Sequence, residues 1–74
     1  MREVMSIETL EMIGKKLKAA REKQHLTQSE VAEKSNLSTN HYAQIERGEA
    51  NPTVEALESI CKALKVKSSK ILPF

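Results

Sequence analysis

The 74-residue sequence contains no aspartate, no tryptophan and a single cysteine, Cys61. One cysteine cannot form an intramolecular disulfide, which fits a reducing compartment, so we expect a cytoplasmic protein. The histidines His25 and His41 stand apart, and neither has a second ligand at the spacing of a metal site. We therefore expect no metal, no cofactor and no small-molecule ligand.

Groups that could perform catalysis are also missing. Cys61 has no neighbouring histidine, no glycine-rich phosphate loop is present, and the serines stand where helix caps and turns are expected. We therefore expect that the protein is not an enzyme. The longest apolar runs are two residues long, and no stretch resembles a signal peptide, which excludes a membrane-spanning segment.

Glycine, proline and aromatic residues are scarce, with two glycines, two prolines and only Tyr42 and Phe74 as aromatics. Alanine, leucine, glutamate and lysine are abundant, which favours an all-α domain with an aliphatic core. A chain of this length forms one domain and buries only about 60 % of its unfolded surface, so a partner would add stability. The net charge of +2 is weak for a nucleic-acid-binding protein.

The stretch from Thr27 to Gly48 contains the central motif of the chain, and the other segments are interpreted in relation to it. Thr27 and Glu30 have the spacing of a capping box that starts a helix. Asn36 tolerates the left-handed conformation that ends this helix, Ser38 is the next N-cap, and Gly48 fits the residue after the second helix. Two short helices joined by a tight turn form a helix-turn-helix, whose second helix can enter the major groove of DNA.

These residues resemble the lambda-repressor-like, Cro-type regulators of the XRE family. The resemblance covers roughly residues 9–72 and rests on R-x5-T-Q-x3-A at 21–32, I-E-R-G at 45–48 and N-P-T-x3-L at 51–57. It implies an all-α, five-helix lambda-repressor-like domain with the helix-turn-helix at helices 2–3. It also implies sequence-specific binding of double-stranded DNA by a small transcriptional regulator, a repressor acting on an operator.

The remaining segments fit around this motif. We expect residues 1–8 to form a short leader, in which Met5 is an alternative start to Met1, and residues 9–74 to form the single domain. A first helix is predicted from apolar residues at three- and four-residue spacing, namely Leu10, Ile13, Leu17 and Ala20. Thr53 is expected to cap a fourth helix, and Ser68 begins a last helical turn.

The second helix of the motif carries the polar residues suited to reading bases: Thr39, Asn40, His41 and, one turn later, Gln44. Asparagine and glutamine can pair bidentately with adenine, threonine can touch a thymine methyl, and histidine can donate to guanine or to phosphate. The resemblance implies base contacts at these positions. The expected contacts to the DNA backbone are Gln28, Arg47, Asn51 and Thr53.

The resemblance further implies a partly buried structural salt bridge between Arg21 and Glu46. Tight specific binding normally uses two half-sites, so we expect a homodimer. Its predicted interface consists of Ile71, Leu72 and Phe74, although closing the core is an equal alternative for Ile71 and Leu72.

A rival interpretation is a protein-interaction helix-turn-helix, an adaptor or antitoxin-like partner with weak or no DNA binding. Residues 25–49 favour it, because they carry two basic side chains against four acidic ones. The second helix also has no arginine or lysine in its first turn.

Overall fold

The computed structural model describes residues 6–72 and places five helices within them. They are α1 (Ile7–Lys23), α2 (Gln28–Lys34), α3 (Thr39–Glu46), α4 (Val54–Leu64) and α5 (Ser68–Ile71). The described residues contain no strand, so the prediction of an all-α, five-helix fold is confirmed. α1 begins inside the segment expected as a leader. None of these helices is long and apolar enough to cross a membrane.

Hydroxyl side chains start the first four helices, namely Ser6, Thr27, Ser38 and Thr53. Each side-chain oxygen accepts a hydrogen bond from the backbone N–H three residues ahead, which would otherwise lack a partner. At Thr27 the capping box is complete, because the Glu30 carboxylate accepts from the Thr27 N–H at 2.7 Å. The predicted caps at Thr27, Ser38 and Thr53 are confirmed.

One backbone motif ends the same four helices. A residue with positive φ follows the last turn of each, at His25 (60°), Asn36 (60°), Gly48 (74°) and Lys65 (58°). The next amide then donates to the carbonyl five residues earlier, as Leu37 N does to Ala32 O at 2.9 Å. This Schellman arrangement satisfies carbonyls that the helix end leaves free. It was predicted at Asn36 and Gly48 but not at His25 or Lys65.

A single hydrophobic core joins the five helices. Its buried members are Ile13, Leu17, Val31, Ala32, Tyr42, Ile45, Leu57, Ile60, Cys61, Leu64 and Ile71. Tyr42 is the one aromatic side chain among them and is fully buried. Cys61 is a small core residue, and burial raises the pKa of its thiol, which disfavours the reactive thiolate.

α1 crosses α3 at Gly14. A Cβ atom at this position would overlap the carbonyl oxygen of Glu46 and lie 2.8 Å from that of Ile45. The glycine is therefore required by close backbone approach, since its own φ is that of an ordinary helix. This crossing fixes the end of α3 against α1.

α5 packs on α1 and α4 and closes the core. Ile71 is only 3 % exposed and belongs to that core, so its predicted place in a dimer interface is wrong. The physical reason is that the short helix turns Ile71 inward. Leu72 is half-buried against the same core. Phe74 lies outside the described residues.

Candidate nucleic-acid interface

The turn between α2 and α3 is held by its own hydrogen bonds. Ser35 N donates to Val31 O at 3.0 Å, and Leu37 N donates to Ala32 O at 2.9 Å. The Ser38 hydroxyl then accepts from His41 N at 3.0 Å and starts α3. Leu37 packs against the core from this turn. The two helices therefore form one rigid helix-turn-helix at the predicted residues.

α3 has one buried face and one exposed face. Tyr42, Ile45 and Glu46 are buried, whereas Thr39 and Asn40 are exposed. Gln44 lies one turn after Asn40 on the same face and is half-buried. The exposed side of α3, centred on Asn40 and Gln44, thus forms a short polar strip, whereas the other side of the helix is part of the core.

Thr39 and His41 flank the pair formed by Asn40 and Gln44. A helix advances by about 100° per residue, so Asn40 and Gln44 lie about 40° apart, His41 lies about 60° from Gln44, and Thr39 lies about 100° from Asn40. His41 is half-buried, like Gln44. The helix therefore groups Asn40, His41 and Gln44 on one side of α3, with Thr39 at its first residue on the other flank.

A buried ion pair links α1, α2 and α3. The Glu46 side chain is 2 % exposed, and Arg21 Nε donates to its Oε2 at 2.7 Å. Arg21 Nη2 and Gln28 Nε2 donate to Oε1 at 3.2 and 3.0 Å. Arg21 Nη1 also donates to Leu26 O at 2.9 Å. The salt bridge expected between Arg21 and Glu46 is thus present, and it also holds the first residue of α2.

This network changes the titration of two buried groups. Burial opposes ionisation of Glu46, but the hydrogen bonds from Arg21 and Gln28 outweigh it, and the pKa of the carboxyl lies below its usual value. Burial, and then the nearby Glu46 carboxylate, raises the pKa of Tyr42 above its ordinary range. The Tyr42 hydroxyl nevertheless makes no hydrogen bond of good geometry to any described residue. Arg21 and Glu46 are therefore both charged at neutral pH, whereas Tyr42 is uncharged.

The residues expected to contact the DNA backbone differ in their exposure and in the hydrogen-bond donors that they have available. Arg47 is half exposed, and its Nη2 lies 3.0 Å from Oε1 of Glu49. Asn51 is exposed. The Thr53 oxygen accepts from Ala56 N at 3.0 Å, which leaves its hydroxyl proton available to a phosphate. Gln28 has one amide proton engaged by Glu46 and another that remains available.

Two contributors to this site were missed or left open by the sequence analysis. The first is the pairing of Glu49 with Arg47, which was not predicted. The sequence does contain a signal for it, because an acidic residue directly follows the glycine that ends the helix. Gly14 is the second, because its contact with α3 depends on tertiary packing and not on a local sequence pattern. Within the described residues no group of histidine, cysteine or acidic side chains could hold a metal ion.

Comparisons with known proteins give the family context of this geometry. A family model described as Helix-turn-helix matches residues 17–71. The immunity repressor protein of Bacillus phage phi105 is 42% identical over 60 residues, which cover 81% of this chain and 42% of the repressor. The transcriptional regulator ClgR of Mycobacterium tuberculosis is 37% identical over 62 residues, or 84% of this chain and 55% of ClgR. The chain thus spans about half the length of these relatives.

A solved structure extends the likeness to three dimensions. The crystal structure of the DNA-binding domain of BldD matches with a TM-score of 0.82 and 32% sequence identity. The match covers 93% of this chain and 100% of that domain. The fold of this chain is therefore similar to that of this domain.

Proposed function

The chain belongs to the helix-turn-helix family of XRE-like regulators, and from that membership we propose that it binds double-stranded DNA sequence-specifically and represses transcription from an operator. The family is one of DNA-binding regulators and is not typically enzymatic. Relatives named as a repressor and as a transcriptional regulator support this role. We place the activity in the cytoplasm, because its partner is DNA.

The polar strip on α3 carries the proposal. Asn40 is exposed and Gln44 is half-buried, whereas the opposite side of the helix, at Tyr42 and Ile45, is fully packed. Thr39, the first residue of the helix, is also exposed. Within residues 6–72, no contact accounts for polar residues at the outer positions. Amide and hydroxyl groups on a rigid, exposed helix match the donors and acceptors of base edges in the major groove.

Asn40 and Gln44 are the proposed base readers, since they share one face four residues apart. Thr39 contacts a thymine methyl or a backbone oxygen beside them. His41, which lies one turn before Gln44 on the same side of α3, donates to a base or to a phosphate. The proposed contacts to the DNA backbone are Gln28, Arg47, Asn51 and Thr53, three of which are neutral donors. This fits the weak net charge, because neutral donors and helix N-termini can replace lysine at phosphates.

We further propose that the protein acts as a homodimer on a two-fold operator. One copy offers a small reading surface, and a second copy would double it at half-sites about one helical turn apart. Because Ile71 is buried, the proposed dimer interface consists of Leu72 and Phe74.

The experiment that tests DNA binding is a gel shift at several salt concentrations with two duplexes. One carries the DNA upstream of the protein's own gene, and the other carries the same bases in shuffled order. Preferential binding of the upstream duplex, lost in Asn40→Ala, supports the proposal. Equal affinity for both duplexes, or no binding even at low ionic strength, contradicts it.

A further inference from the structure

Arg47 is the positive charge closest in sequence to the polar strip, and it is already paired. Its guanidinium lies 3.0 Å from the Glu49 carboxylate, with side-chain exposures of 51% and 56%. An ion pair this exposed contributes little to folding stability, because water and salt screen it. Stability therefore gives no account of why the pair is present.

The backbone determines where Glu49 lies relative to Arg47. Glu49 N donates to Gln44 O at 2.9 Å as part of the motif that ends α3. Gly48, with φ of 74°, packs so closely on α1 that a Cβ there would lie 2.8 Å from Glu11 Cγ. The turn is thus fixed from both sides, and Glu49 stays within reach of Arg47.

The position of Arg47 places this pair at the edge of the proposed DNA surface. Residues four and seven apart share a helix face, so Arg47 lies on the side of α3 that carries Asn40. Residues 25–49 contain only one other cation, Lys34. Within residues 25–49, the cation nearest in sequence to the polar strip is therefore a guanidinium that is already paired with an acidic side chain.

We propose that Glu49 is a specificity determinant, because its carboxylate competes with DNA phosphates for Arg47. This inference rests on the proposed DNA-binding function. On a non-matching sequence the protein binds loosely, Arg47 remains paired with Glu49, and one phosphate contact is not made. On the matching sequence, base contacts from Asn40 and Gln44 seat α3 in the groove, and a phosphate displaces the carboxylate. Glu49 thus lowers non-specific affinity more than specific affinity.

The test compares Glu49→Gln with wild type on a matching and a random duplex. The matching duplex is the sequence that wild-type protein selects from a random pool, and binding is followed by fluorescence anisotropy over a salt series. Glu58→Gln is the charge-matched control, since it removes the same charge from an exposed site on α4. Arg47→Gln and the double variant Arg47→Gln/Glu49→Gln complete the set.

The expected result is that Glu49→Gln binds random DNA about 5- to 10-fold more tightly, with a salt slope steeper by about 0.9, the value for one phosphate contact. Its affinity for the matching duplex should rise less than about 3-fold, so the specificity ratio falls. Glu58→Gln should change neither slope, and in the Arg47→Gln background Glu49→Gln should have no further effect.

Three results would overturn the inference, and they can be told apart. An equal rise on both duplexes, or a rise that Glu58→Gln matches, would mean that only overall charge matters. A Glu49→Gln effect that persists without Arg47 would mean direct repulsion of DNA. Selection of no sequence by wild-type protein, with no binding of the random duplex at low salt, would overturn the proposed function together with this inference.

Discussion

Glu46 shows how one residue can serve both the fold and the site. Its carboxylate is buried, accepts from Arg21 on α1, and accepts from Gln28 at the start of α2. A buried charge of this kind is tolerated only when its partners stay in place. The ion pair therefore fixes the position of the helix-turn-helix relative to α1.

Removal of either partner should destabilise the protein without any DNA present. Arg21→Ala leaves the Glu46 charge uncompensated, and Glu46→Ala does the same to Arg21, each at a cost of about 3–5 kcal/mol. Because the side chains touch, the double variant should lose less than the sum, with a coupling of about 1–3 kcal/mol. Denaturant unfolding of the four proteins measures this cycle, and strict additivity would show that the pair is not coupled.

The lowered pKa of Glu46 predicts how stability varies with acid. A carboxyl with a folded pKa below its unfolded value of about 4.3 contributes stability that is fully present above that value. The contribution is lost as the pH falls through the lower, folded pKa. We expect the stability difference between wild type and Glu46→Gln to be constant near neutral pH and to shrink below about pH 4. A difference that grows on acidification would contradict this sign.

Base reading is the second question that belongs to single residues. Asn40→Ala and Gln44→Ala should each cost about 1–3 kcal/mol of affinity for the matching sequence and leave random DNA nearly unchanged. Asn51→Ala is the comparison, because an exposed phosphate contact should affect both duplexes alike. Competition binding with the two duplexes measures these losses. Equal losses on both from Asn40→Ala would remove it from the base-reading set.

At the scale of helices and turns, the starts of the elements were more predictable than their ends. N-caps can be recognised from hydroxyl residues such as Thr27 and Ser38, because the preference of these residues for the N-cap position is strong and depends only on the local sequence. Helix ends were predicted only where Asn36 or Gly48 signalled them. At His25 and Lys65 the same left-handed residue follows from packing of the next segment, as Leu26 and Val66 turn back to the core. Local propensity does not contain that information.

The unfavourable end of α4 predicts a stabilising substitution. Lys65 has φ of 58°, a conformation in which its Cβ is strained and glycine is not. Lys65→Gly should therefore raise the unfolding free energy by about 0.5–1 kcal/mol after the greater unfolded-state entropy of glycine is deducted. Lys62→Gly, with the same loss of charge inside α4, should instead cost about 1 kcal/mol. Thermal or urea unfolding distinguishes them, and a loss at both positions would refute the backbone argument.

At the scale of the whole molecule, the fold was predictable because several local signals agree. Caps, apolar spacing and the motif residues all indicated five helices. The polar strip on α3 was found in the same way, since its residues follow the cap at Ser38. What the sequence could not decide was the role of the last turn, because Ile71 and Leu72 are apolar in either role. Only the packing of α5 on α1 and α4 separates a core residue from a surface one.

The remaining apolar surface bears on assembly. Among the described residues, Ile7 and Val54 are large hydrophobic side chains that are 70% and 69% exposed. Scattered residues of this kind are common on monomers and do not by themselves mark an interface. A dimer contact at Leu72 and Phe74 therefore remains the prediction, with Val54 as a comparison site on a different part of the surface.

The last prediction separates the two roles of the C-terminal turn. Ile71→Ala should lower folding stability by about 2–4 kcal/mol, because it leaves a cavity in the core. Leu72→Ala and Phe74→Ala should instead weaken a dimer of the intact protein, with little change in the secondary structure of the monomer, whereas Val54→Ser should leave the dimer unchanged. Sedimentation equilibrium from about 1 to 100 micromolar, the range of a weak dimer, measures the association. If intact protein is monomeric throughout, or if Val54→Ser alone dissociates it, the predicted interface is wrong, since two copies would then meet elsewhere or not at all.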